Sequence, residues 1–404
     1  MTRTGKALLI AVLMGAGTAP AFAQESSSAR FQGAPRIGSS DGWSLKPRGR
    51  IQYDVGNISA PDGVNADLGT VHELRRARLG VEGTMPGGFN YVFEADLAEG
   101  IVEITDATLS WKANDSLTLT AGQHNNFQSL EELTSSRFTT FLERAAFTDA
   151  FNFERRLGVS ATVTSGPVTA QFGAFIDNLA DLDEGDDTVS IDGRLVFAPK
   201  IGDTQLHFAG SAHWRDNGDL VDRGTTTRYR QRPLIHATDV RFISTPALDV
   251  ERETDFGLEA AIIHGPFYAA AEAHWLRADT LTGPNPTFFG SYVDIGWFIT
   301  GETRGYRGAR WDRTKVREGR SIEEGGPGAF QLNLRWDYLD LNSNGIVGGK
   351  QSGLQAGLTW IPTDHLRFMI NYARLNYQDA ALPAAGGDRD YGVDVVGVRA
   401  QFDF

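Results

Sequence analysis

The sequence predicts an all-β protein, a transmembrane antiparallel β-barrel of about sixteen strands, on three observations. Short segments alternate along most of the chain, with one face apolar and aromatic and the other carrying Arg, Asp, Glu, Gln and Thr. A soluble sandwich would need its apolar faces to meet in a core. A membrane barrel needs lipid outside, water inside and no open edge in hydrocarbon. The connections also alternate, tight turns with long loops, as the two rims of such a barrel require. Finally, Val396, Val398, Ala400, Phe402 and Phe404 share one face of a last strand whose other face is Arg399, Gln401 and Asp403.

The elements follow in order. Residues 1–23 read as a secretory leader: Arg3 and Lys6 are basic, Ala7 to Gly17 is apolar, and Ala21-Phe22-Ala23 is a small-x-small cleavage pattern. The mature chain is expected to begin at Gln24, with a loose polar periplasmic lead over 24–42 and the barrel over 43–404. Ile51, Tyr53 and Val55 oppose Arg50, Gln52 and Asp54; Ala77, Leu79 and Val81 oppose Arg76, Arg78 and Glu82. Further strands run through Tyr91–Leu97, Ala107–Trp111 and Leu117–Ala121, separated by turns at Pro86–Gly88, Glu99-Gly100 and Asn114-Asp115. Alternation resumes at Leu157–Val163, Val168–Ile176, Val189–Phe197 and Leu206–Trp214, with an acidic loop at Asp181 to Asp187. A second long loop spans about 216–252. Strands return near Phe256–Ile262, Phe267–Trp275 and Val293–Ile299, a basic loop covers Arg304 to Arg320, and four strands close the chain.

The stretch Gln123–Leu157 breaks this rhythm. A chain with 46 glycines and 15 prolines places neither in these 35 positions, which predicts an ordered excursion. Leu130, Leu133, Phe138, Phe141 and Ala145 fall near helical spacing, and Ser129 with Glu132 reads as a capping box. The expectation is one or two short helices in the loop after the fifth strand. A barrel of this size has an aqueous lumen. A folded insert there, over about 125–152, would be an inward-folded, partly helical constriction loop that sets the width.

Composition excludes several classes. Zero cysteine removes disulfides, thiol nucleophiles and Cys-zinc sites. Removing the leader takes the formal net charge from −13 to −15, which disfavours nucleic acid as a partner. The eight histidines are scattered, and no Gly-x-Ser-x-Gly, zinc spacing or Walker loop is present, so neither catalytic residues nor a metal or other cofactor is expected. A barrel enzyme remains a distant alternative. Asp337 to Gly345 lacks the spacing of a calcium loop and is expected to cap an external loop.

The run Ser129–Arg144, followed by Arg155-Arg156-Leu157-Gly158, resembles the phosphate-selective porin O and P family. Leu74 to Gly80, Phe93 to Asp96 and Arg228 to Pro233 share the resemblance, which extends over nearly the whole mature chain. It implies a homotrimeric outer-membrane channel for small anions, phosphate or polyphosphate among them, seated in outer-membrane lipid and lipopolysaccharide. It also implies a route formed by the constriction loop and an arginine track, with Arg75 and Arg76 in the shared motif.

The track has its own physics. Arg228, Arg230 and Arg232 are spaced by two and would share one face of an extended strand. Guanidinium keeps its charge and forks onto oxyanions. Arg137 and Arg144 lie seven apart, on one face of a helix, with the Ser135 and Ser136 hydroxyls near. The family's phosphate-selective members carry lysine where this chain has Glu132, a carboxylate that repels phosphate unless it is capped or paired. A general pore, or a sugar pore using Tyr229, Tyr292 and Tyr306 as an aromatic slide, is the alternative.

Overall fold

The computed structural model describes residues 30–98, 100–182, 188–218 and 224–404; the leader and 183–187 of the acidic loop lie outside them. Sixteen strands close into one antiparallel barrel. Before the long insert come β1 (Ser44–Ser59), β2 (Gly69–Met85), β3 (Phe89–Asp96), β4 (Glu103–Lys112) and β5 (Leu117–Asn125). Then follow β6 (Arg155–Ser165), β7 (Val168–Phe175), β8 (Val189–Phe197), β9 (Thr204–Asp216), β10 (Val250–His264) and β11 (Phe267–Thr280). The last are β12 (Thr287–Phe298), β13 (Ala329–Ser343), β14 (Ile346–Thr363), β15 (Leu366–Gln378) and β16 (Tyr391–Asp403). Each strand pairs with the next, and β16 returns to β1 in register from Arg50↔Asp403 to Ser59↔Asp394, leaving no edge.

The two faces are inverted relative to a water-soluble protein. On β1, Ile51 and Tyr53 are 51% and 44% exposed, while Arg50, Gln52 and Asp54 are 3%, 0% and 2% exposed. Alternation therefore sends apolar side chains outward to lipid and charge inward. Aromatic pairs ring the outer surface near one rim (Phe267–Trp297 at 5.8 Å, Trp360–Phe368 at 5.4 Å) and near the other (Trp275–Phe289 at 5.3 Å).

Three segments fold into the lumen. The loop after β5 and the loop after β9 enter from the rim opposite the chain termini. The third, 299–328 between β12 and β13, enters from the rim that carries the termini, where every other connection is short. This basic insert breaks the expected alternation of loop lengths. It folds up against the first loop: Trp311 N–H donates to Thr134 Oγ1 at 3.3 Å, Arg310 to the Leu133 carbonyl at 3.4 Å and Arg304 to the Phe138 carbonyl at 2.5 Å. Arg30 of the N-terminal lead holds its outer turn, with a 2.6 Å ion pair to Glu324 and a 2.9 Å bond to the Val316 carbonyl.

The apolar core consequently sits inside the barrel, between these inserts and the wall of β10–β16. Leu130, Phe147, Tyr229, Phe242, Phe288 and Trp311 belong to it. Wall glycines make the docking possible. A Cβ at Gly290 would meet Phe147 Cβ at 2.4 Å, and one at Gly397 would meet Ile235 at 2.7 Å. The opposite wall, β1–β8, contributes side chains from every strand to the lining of a water-filled chamber. Asp337–Ser343 is not the expected loop cap. The alternation of Trp336, Tyr338 and Asp340 carries β13 through it to the Asn344-Gly345 turn, and the buried Asp337 carboxylate accepts from Ala146 N–H at 3.0 Å.

Candidate ion path

The first insert carries two short helices, α1 (Leu130–Leu133) and α2 (Ala146–Ala150). Ser129, held at φ 65°, caps α1 by accepting from the N–H groups of Glu131 and Glu132, both at 3.1 Å. The reciprocal half of the expected capping box, Ser129 N–H to the Glu132 carboxylate, does not form, and a wall carboxylate takes other N–H groups of the first turn instead. Glu272 on β11 accepts from Leu130 and Glu131 N–H at 2.9 Å each, placing a carboxylate on the helix N-terminus. Glu132 is thereby released to face Arg144 at 3.4 Å. Burial drives the Glu132 carboxyl above the usual range, and the neighbouring Arg144 only partly offsets this. Burial acts the same way on Glu143, but Arg75 and Arg399 outweigh it and hold that carboxyl well below its ordinary value.

Arg137 and Arg144 do not share a helical face. The helix stops at Thr134, whose backbone is extended, and the chain runs through turns to Ala145. Arg144 turns back to donate to the carbonyls of Glu131 (2.9 Å), Glu132 (3.1 Å) and Thr134 (2.9 Å), groups the short helix leaves unpaired. It braces the loop. Arg137 points the other way, over the Phe138 ring at 5.2 Å and 3.9 Å from Asp403. Ser135 and Ser136 both accept from Arg50, at 3.4 and 2.6 Å, so the Ser136 hydroxyl fastens the loop to β1 rather than standing free.

The insert divides the open side of the lumen into two chambers. The outer one, about 190 Å³, has Arg75, Arg144 and Arg232 facing Glu132, Glu143 and Asp149. Its charges balance, and Glu143 takes the Nε/Nη2 edge of Arg75 at 3.0 and 3.1 Å. The inner chamber, about 510 Å³, is lined by seven arginines and three carboxylates. Arg48 and Arg50 come from β1, Arg155 from β6 and Arg194 from β8; Arg137 comes from the loop, and Arg307 and Arg310 from the basic insert. The carboxylates are Glu82, Asp106 and Asp312. Arg155 pairs with Asp106 at 2.9 Å, and both Arg48 and Arg50 reach the buried Glu94, at 3.0 and 2.9 Å. Arg310 has no carboxylate within 4.0 Å among the described residues. Arg76, buried in the wall, has none either, and donates to Gln52 at 3.0 Å.

The outer row is placed as its spacing predicts over part of its length. Arg228 and Arg230 are exposed while Tyr229 between them is buried, its hydroxyl donating to Glu253 at 2.5 Å. Arg232 lies in the outer chamber, 3.6 Å from Asp149 and 3.3 Å from Asp239. Tyr229 and Tyr292 are buried away from both chambers, and Tyr306 bonds His207 at 2.7 Å, so these tyrosines form no slide. Sequence reasoning missed Arg48, Arg50, Arg194 and Arg310. For Arg48 and Arg50 the signal was present, because they share the polar face of β1 with Gln52 and Asp54. For Arg310 it was not, since a basic loop carries no mark of folding inward.

Residues 45–404 match the family described as phosphate-selective porin O and P. A Caulobacter vibrioides protein is 50% identical over 93% of this chain and 76% of its own length. Porin O of Pseudomonas aeruginosa is 24% identical over 82% of this chain and 83% of its own length. Among solved structures, an anion-selective porin from Comamonas acidovorans superposes with a TM-score of 0.59 at 13% identity, over 90% of this chain and all of that one.

Proposed function

Since the chain belongs to the phosphate-selective porin O and P family and forms an outer-membrane channel, we propose that it conducts small inorganic anions by passive diffusion, with phosphate a candidate solute. The observation that carries this reading is the inner chamber, with seven arginines against three carboxylates. An anion entering past the exposed Arg228 and Arg230 meets Arg232 and Arg75 in the outer chamber, then Arg155 and the rest of the inner cluster. Several moderate sites pass an ion onward faster than one tight site. The guanidinium edges left over from ion pairing supply the donors. The family likeness further supports assembly as a homotrimer. Glu132 favours a general anion pore over a phosphate-specific one, because its carboxylate stands where a phosphate-binding cation would be most useful.

The test is the zero-current potential of the purified protein in a planar bilayer under a KCl gradient, repeated with phosphate added. Anion preference with block at low phosphate supports the phosphate reading. Anion preference without block supports a general anion pore. Cation preference overturns both.

A further inference from the structure

A second, smaller cavity of about 30 Å³ lies where the basic insert, the constriction loop and the wall meet. Arg304 of the insert and Arg367 of β15 line it, only 4% and 6% exposed. Arg304 Nη2 donates to the Phe138 carbonyl at 2.5 Å, and Arg367 Nη1 to the adjacent Arg137 carbonyl at 3.2 Å. The two guanidiniums therefore converge on one turn of the loop. Neither has a carboxylate within 4.0 Å among the described residues. Arg304 gains partial relief from the rings of Tyr268 and Trp311, at 5.1 and 5.2 Å. Arg367 has no such neighbour.

The edge of Arg367 is informative. Its Nε and Nη2 are buried without an acceptor, as is Arg304 Nε. In Arg75, Arg194, Arg335 and Arg399 that same Nε/Nη2 edge grips a carboxylate, for example Asp54 by Arg399 at 2.7 and 2.6 Å. The cavity's own carboxylates are committed elsewhere. Asp403 pairs with Arg313, Asp312 with Arg307 at 2.8 Å, and Asp364 accepts from Val316 N–H at 2.8 Å. Its lining holds Arg137, Arg304, Arg313 and Arg367 against these three carboxylates, a surplus of one positive charge. A buried cation without a counter-charge is strongly unfavourable.

We propose that this cavity is a resident binding site for one chloride-sized inorganic anion, held by the Nε/Nη2 edge of Arg367 and by Arg304, and that the anion fastens the basic insert to the constriction loop and the wall. The volume argues for a halide: about 30 Å³ holds one or two water-sized centres, enough for chloride and short of what hydrated phosphate needs. The site is a structural one behind Phe138, and it does not depend on which solute permeates.

The test uses the whole protein, purified and crystallised with bromide in place of chloride. An anomalous peak within about 3.5 Å of Arg367 Nε or Nη2 is expected; water or no peak there overturns the proposal. In solution, thermal unfolding is followed while chloride replaces gluconate at constant ionic strength. The wild type should gain a saturable rise in Tm, and Arg367→Gln and Arg304→Gln should each lose it. If either variant fails to fold, the wild-type titration still decides: equal Tm in chloride and gluconate overturns the site, whatever the bilayer measurement of permeant selectivity returns.

Discussion

The Glu132 carboxyl gives the path its own pH dependence. It is buried beside the outer chamber with Arg144 at 3.4 Å, and burial raises its pKa above that of an ordinary glutamate. A raised carboxyl takes up its proton earlier as pH falls. One negative charge then leaves the lining of the outer chamber while exposed carboxylates stay ionised. Anion preference should therefore increase as pH falls, beginning above the usual glutamate range. Glu132→Gln should show the higher preference at every pH and flatten that segment of the curve. A wild-type zero-current potential that is flat down to the usual range would refute this role. Arg144 makes a different prediction, because its guanidinium spans three carbonyls. Arg144→Ala should loosen the loop by about 1.5–3 kcal/mol, the worth of hydrogen bonds to a charged group, and appear as larger, noisier conductance. Arg144→Lys should not rescue it, because an ammonium cannot replace the planar fork. Rescue by lysine would mean that the charge meets the ion directly.

At the level of elements, the constriction loop is positioned by what the wall lacks. Gly290 leaves room for Phe147 of α2, and any side chain there collides with it at 2.4 Å. Gly290→Ala should displace α2, at the roughly 1–3 kcal/mol typical of overpacking, and widen the pore. Gly193→Ala, where a Cβ meets nothing within 4 Å, is the matched control and should leave both Tm and conductance unchanged. Equal effects of the two substitutions would sink the docking argument. The loop's existence was readable from the missing glycine and proline, and its Ser129 cap from residue type. Its helical register was not readable beyond Thr134. Beyond it Phe138 lies under Arg137 and Arg313, Phe141 lies under Arg335 and Ala145 is fully buried, all in non-helical backbone, so their spacing imitates one helical face without requiring a helix. The inward turn of 299–328 was equally hidden. Its partners, Leu133, Thr134 and Phe138, lie some 170 residues earlier, with Arg304 bonded to Phe138 across 166 positions, and no local pattern encodes so distant a contact.

For the whole molecule, the period-two alternation sufficed to predict a closed barrel with water inside, because each strand's face is decided locally. The distribution of charge along the pore axis is a property of the closed object and could not be read strand by strand. The sequence singles out the outer row Arg228, Arg230 and Arg232 because its spacing is visible; folding places the surplus of positive charge in the inner chamber. The two positions respond differently to salt. Arg228 and Arg230 are exposed, and charges in open solvent are screened beyond about 8 Å at physiological ionic strength and about 3 Å at 1 M. The inner chamber is walled by protein and screened less. Arg228→Gln with Arg230→Gln should therefore lower anion entry at low salt and leave the zero-current potential near wild type at high salt. Arg155→Gln with Arg310→Gln should shift that potential toward cations at both. Each pair removes two charges, so net charge cannot explain a difference. If the outer pair shifts selectivity at 1 M as much as the inner pair, the filter lies at the mouth, and the inner arginines serve to hold the insert and the wall together.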